Sequence, residues 1–219
     1  MARIKEPEEI TLNEMILNYE LYSGLPEGLV QMPIPDKINI KDKLYDIPKN
    51  YEQFIKFLCY GQRLFLAQKE EKDFGVIIRV IDGYYYSLVT GEKWDADKAL
   101  LFGKYVLLCK VIHLYPVAMH LISLVAELAE REKQLLFREP SKLELAAGIE
   151  KLNIFSELIS LDFLRDTMKI TIAEVLLTPY KECLVRFMIA KETEEYRERY
   201  FKLMQEISKP KSKYDNSKT

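Results

Sequence analysis

Cys109, His113 and His120 come closest to a chemical constellation in this chain. Spaced i, i+4 and i+11, they would set a thiolate and two imidazoles along one helix face, a donor set suited to a metal ion. Pro116 interrupts that face, and no CxxC or HExxH pattern accompanies it, so the expectation is two core histidines satisfied by hydrogen bonds and no bound metal. A Cys–His catalytic pair with Cys109 or Cys59 as nucleophile would need an exposed thiolate of depressed pKa. Both cysteines sit in apolar helical patterns, which predicts inert thiols. Glu127, Glu130, Glu132, Glu194, Glu195 and Glu198 fall on polar helix faces among Lys and Arg, the ordinary arrangement of solvated charge. The eight glycines are dispersed and form neither a phosphate-binding loop nor a dinucleotide fingerprint. Tyr84, Tyr85, Tyr86 and Trp94 offer ring faces on which bases could stack, yet no basic groove surrounds them. No catalytic residue and no cofactor are assigned on these grounds.

The elements that must position these side chains belong to a chain of 219 residues with 48% hydrophobic residues and a formal charge of −2. That length supports a sizeable core without disulfides or metal. The charge lacks the positive field that sequence-independent nucleic-acid binding requires, so no specific nucleic-acid partner is expected. Three cysteines, odd in number and far apart, suit reduced thiols. Met1 to Glu9 is charged and contains Pro7, which does not resemble a cleaved secretion signal. Tyr105 to Ala126 is long and apolar enough to span a bilayer, but Lys110, His113, Pro116 and His120 lie within it. A buried core helix kinked at Pro116 is the expectation there, and no membrane association.

Thr11-Leu12-Asn13-Glu14 has the capping-box form and opens a helix to about Tyr22. Leu25 to Lys49 carries four prolines among scattered Ile, Leu and Val, and reads as an extended arm that packs either on its own domain or on a neighbouring subunit. Asn50 can cap a helix running to about Lys69. Val76–Ile81, Asp82-Gly83 and Tyr84–Val89 read as a two-residue β-hairpin, since Asp-Gly supplies the positive φ angles of a type I′ turn. Asp95 caps a helix to Tyr115, and a second runs from Val117 to about Phe137. Ser141-Lys142-Leu143-Glu144 and Thr171-Ile172-Ala173-Glu174 are further capping boxes, with a helix from Phe155 to Met168 between them. A last helix runs from Pro179 to about Ile207, where Tyr196, Tyr200, Leu203 and Ile207 form an apolar stripe. The fold class is thus mainly α. It comprises an N-terminal helix and arm over 1–49, a helical domain over 50–207 with the inserted hairpin 76–81/84–89, and a disordered basic tail over 208–219.

Arg138-Glu139-Pro140-Ser141 through Ala146-Ala147-Gly148-Ile149-Glu150-Lys151-Leu152, then Glu174 to Tyr180, Arg186-Phe187 and Glu192 to Tyr200, resemble the small helical morphogenesis proteins of tailed bacteriophages. The resemblance implies a non-enzymatic tail-assembly or virion-structural protein whose partners are other virion or assembly proteins. Its place would be the host cytoplasm during assembly, or the virion. The candidate partner-binding residues are Ile34, Ile38 and Ile40 in the arm, Arg79, Tyr84, Tyr85, Tyr86 and Trp94 around the hairpin, and Tyr196, Tyr200 and Leu203 in the last helix, with a homo-oligomer expected. The alternative is a ligand-binding or enzymatic helical domain with its pocket near Cys109, His113 and His120.

Overall fold

All three capping boxes form. Thr11, Ser141 and Thr171 each accept a hydrogen bond from the backbone N–H of the glutamate three residues on, and each glutamate reaches back to the cap. Asn50 and Asp95 cap their helices through the side chain alone. The computed structural model describes residues 6–22, 24–68 and 73–208. After a short 3-10 turn at Pro7–Glu9, the elements are α1 (Leu12–Leu17), α2 (Tyr19–Tyr22), α3 (Leu25–Val30), β1 (Lys37–Ile40), β2 (Lys43–Asp46), α4 (Tyr51–Lys56) and α5 (Tyr60–Ala67). Then come α6 (Asp73–Thr90), α7 (Ala96–Val106), α8 (Val111–Leu136), α9 (Lys142–Ala146), a 3-10 helix (Ile149–Phe155), α10 (Ser156–Met168), α11 (Ile172–Leu177) and α12 (Tyr180–Ser208). The fold is mainly helical with one small antiparallel hairpin among the described residues.

That hairpin is not where the sequence pattern placed it. Val76 to Val89 lies inside the continuous helix α6. Its buried residues Ile77, Val80, Ile81, Tyr84 and Tyr85 follow i, i+3, i+4, i+7, i+8, the period of a helix. A segment apolar on every side satisfies both patterns, and tertiary packing decides between them. Asp82-Gly83 marks a close helix–helix approach instead of a turn. A Cβ on Gly83 would stand 2.6 Å from Leu66 Cδ2, and the Gly83 carbonyl accepts a hydrogen bond from the α5 side chain Gln62 at 2.8 Å.

The observed hairpin lies in the Pro-containing arm. Ile38 pairs with Tyr45 and Ile40 with Lys43, and the two turn residues Lys41 and Asp42 both take positive φ (53° and 59°), as a type I′ turn requires. Lys41 sits with its ammonium 3.8 Å from the Tyr105 ring centre, an attraction that helps hold this strained turn. The strands alternate, and Ile38 and Ile40 are buried against α8. The arm therefore covers its own domain.

Two further boundaries differ from the sequence reading, and both have the same cause. The expected helix 50–69 breaks at Phe57–Cys59, where Tyr60 N–H donates to Thr178 O and Tyr180 N–H donates to Leu58 O, each at 2.9 Å. The expected break at Pro116 falls instead at 107–110, where Leu12 N–H donates to Cys109 O (3.1 Å) and Val111 N–H donates to Ile10 O (2.8 Å). Remote segments thus supply the backbone partners that make each break favourable. Pro116 lies within the second turn of α8 and is buried.

The core centres on α6 and α8, with α7 against α6 and with α3, α4 and β1 against α8. α8 is long and apolar enough to cross a membrane by length and composition, and here Leu114, Val117, Ala118, Leu121 and Leu128 pack into the protein core. The tail expected over 208–219 lies, from residue 209 on, outside the described residues.

Candidate functional site

The residues assigned to the supposed hairpin are core aromatics. Tyr84 stacks on Phe54 (centroids 5.2 Å), Tyr85 meets Tyr45 edge-on and donates to Asp46 O at 3.3 Å, and Tyr86 lies between Trp94 and Phe102 while donating to Glu92 at 2.9 Å. All three are nearly inaccessible, and burial pushes their phenols upward from the usual range. Trp94 is half-buried over Gly61, where a Cβ would stand 2.6 Å from the indole. Arg79 is also half-buried and donates to the Gln68 carbonyl that ends α5. Tyr84, Tyr85 and Tyr86, like Ile38 and Ile40, are thereby removed from the candidate contact surface. Ile34, Tyr196, Tyr200 and Leu203 remain exposed.

The Cys–His constellation separates. Cys109 and His113 share a cleft of about 650 Å³ with Asn39, Lys41, Asp42 and Lys110. His120 faces a different hollow, its Nε2 2.7 Å from the Pro48 carbonyl oxygen. His113 and His120 keep nearly the same helix face but stand two turns apart, roughly 10 Å along the axis at about 1.5 Å per residue, so the tip of the hairpin edges the first hollow and its base the second. Cys109 Sγ points toward the carbonyls of Asn39 and Tyr105, and burial pushes its thiol up to about 11, so it carries almost no thiolate at neutral pH. Among the described residues no three His, Cys, Asp or Glu side chains come together in a ligating group.

A constellation with no sequence signal sits at the foot of α12. Glu132 near the end of α8 accepts both arms of the Arg63 guanidinium (2.7 and 2.5 Å) and the Tyr180 hydroxyl (2.8 Å). Burial, joined by the Glu132 charge, pushes the Tyr180 phenol strongly up. Arg63 and Glu132 edge a cleft of about 460 Å³ with Tyr60, Ser156, Ser160 and Lys191. Glu132 is thus not the solvated charge its helix pattern suggests, since its partners come from residues 69 and 48 positions away. Arg63 and Glu132 neutralise each other there, and the trio ties α5, α8 and α12 together.

From α9 onward the surface changes character. Leu143, Ile154 and Leu158 are largely exposed, as are Leu145, Leu152 and Phe155, while neither α9 nor the following 3-10 helix buries a single residue. This segment is nevertheless pinned. Arg138 bonds both Glu144 of α9 and Glu198 of α12, burial of these charges being incomplete, and Lys191 donates to the Leu135 carbonyl at 3.0 Å. After residue 134 the buried apolar residues among the described ones are only Leu164, Val175, Tyr180, Cys183 and Leu184. The arrangement presents large apolar side chains on held backbone, which can bind protein surfaces. No family model, no curated protein and no solved structure matches the chain.

Proposed function

We propose that this chain is a non-enzymatic protein–protein interaction component that works in the assembly of a phage particle, in the host cytoplasm, with other virion or assembly proteins as partners. The observation that carries the interaction reading is the segment Lys142–Ile159, rich in exposed apolar side chains on a backbone fixed by capping box and ion pairs. An isolated soluble domain gains nothing by exposing Leu143 and Ile154, since each loses about 1.5–3 kcal/mol of burial free energy by staying in water. The phage context rests on the resemblance in residues 138–200. The rival reading, a ligand site at Cys109 and His113, has the volume of their cleft in its favour and the protonated thiol against it.

The test is co-expression of the full chain with the products of the genes flanking its own, followed by affinity purification. The native chain is expected to retain at least one of them, and the double substitution Leu143→Glu with Ile154→Glu to lose it while melting at an unchanged temperature. Retention of none, or equal retention by both forms, would overturn the proposal.

A further inference from the structure

We infer that the distal half of α12 is a parallel two-stranded seam with a second copy of this chain. The inference is independent of the α9–α10 surface proposed above and concerns a different face.

α12 has two faces of opposite use. Tyr180, Cys183 and Leu184 are buried, and Phe187, Lys191, Glu195 and Glu198 continue the same face half-buried along the protein body. At 3.6 residues per turn, Ile189, Tyr196, Tyr200, Leu203 and Ile207 project about 180° away from that docked face. They are 55, 61, 48, 58 and 78% exposed. Among the described residues nothing covers them, and the protein body lies behind the helix as far as Glu198, so two copies can approach stripe to stripe.

The spacing from Tyr196 to Ile207 is 4, 3, 4, the alternation that a heptad seam uses, and it sets the four side chains in one line along the helix. With Tyr196 and Leu203 at d, Tyr200 and Ile207 fall at a, and Thr193 and Ile189 extend the register N-terminally. Glu192 then occupies g and Arg197 the following e. In a parallel in-register pair, Glu192 of each copy faces Arg197 of the other, giving two opposite-charge contacts related by the twofold axis. In an antiparallel pair with the whole stripe overlapped, e faces e′ and g faces g′, which sets Arg197 against Arg197, Arg199 against Arg199 and Glu192 against Glu206, all like charges. Charge therefore selects the parallel arrangement and a second copy as occupant.

The seam is about 27 Å long at 1.5 Å per residue. From their exposures the five side chains would bury roughly 500 Å² per copy, about 1,000 Å² in all, near the lower bound for a specific interface. A reversible, concentration-dependent dimer follows, with Tyr196 and Tyr200 as its aromatic anchors.

Sedimentation equilibrium of the full chain from low micromolar to submillimolar concentration tests this. A monomer–dimer equilibrium is expected, and Tyr196→Glu with Leu203→Glu should raise its dissociation constant at least about 100-fold while leaving the melting temperature of the body unchanged. Orientation is read separately by mild oxidation. Leu203→Cys should form a disulfide-linked dimer that the unsubstituted chain does not, because a d residue meets its own symmetry mate only in the parallel form. A monomer at every concentration, or a dimer indifferent to the double substitution, overturns the seam. Cross-linking that needs Thr193→Cys together with Leu203→Cys overturns the parallel orientation.

Discussion

Asp82 is a carboxyl group 1% exposed in the middle of α6, wedged against Gly103 of α7, with its Oδ1 lacking a hydrogen-bond partner among the described residues. Burial raises its pKa from 3.8 to about 8. The folded state therefore holds a proton that the unfolded state has released between pH 4 and pH 8, so this group's contribution to stability is complete below pH 4 and is lost as pH rises to 8. The slope approaches 1.4 kcal/mol per pH unit, roughly the cost of one pKa unit. Asp82→Asn removes the titration. Urea unfolding at pH 5, 6, 7 and 8 is expected to show the variant gaining on the native chain by about 1 kcal/mol or more per unit. Parallel pH profiles for the two proteins would mean that Asp82 is solvated in the folded state. No local pattern marks this residue's role, because Asp before Gly is also the signature of a turn.

At the level of elements, helix starts were legible and helix ends were not. Thr11, Ser141 and Thr171 act through bonds spanning three residues, so their information is local. The breaks at 57–59 and 107–110 depend on backbone partners about a hundred residues away in sequence, at 178–180 and 10–13, which no local pattern encodes. Close approach is equally non-local. Gly61 of α5 lies under Trp94 and beside the Leu176 carbonyl of α11, 3.0 Å from where a Cβ would stand. The backbone oxygen cannot step aside as a side chain could. Gly61→Ala is expected to destabilise by about 2 kcal/mol through overpacking, against the helix-propensity gain of about 1 kcal/mol that the same change brings at an exposed site. Thermal unfolding checks the sign, and an unchanged or raised melting temperature would show that α5 and α11 can separate at little cost.

For the molecule as a whole, burial is divided unevenly along the chain. α6 and α8 carry the core, whereas α9 and the 3-10 helix Ile149–Phe155 bury nothing. Amide hydrogen exchange on the isolated protein is expected to protect α6 and α8 by at least about 100-fold more than residues 142–155, since local opening there exposes no additional apolar surface. Adding a true partner should slow exchange in 142–155 selectively, and in residues 196–207 with rising protein concentration. Uniform protection across both regions would contradict the uneven division of the core.

The amino-acid sequence by itself determined the helical class, the capped helix starts, the long final helix and the stripe Tyr196, Tyr200 and Leu203, because each rests on periodicity or on hydrogen bonds between near neighbours. Only the tertiary structure decided that Val76–Val89 is helix, that the arm holds the hairpin, that Glu132 meets Arg63 and Tyr180, and that Cys109 and His120 part company. In each of these cases the residue types were compatible with more than one local conformation, and the free energy that chose between them came from groups far away along the chain.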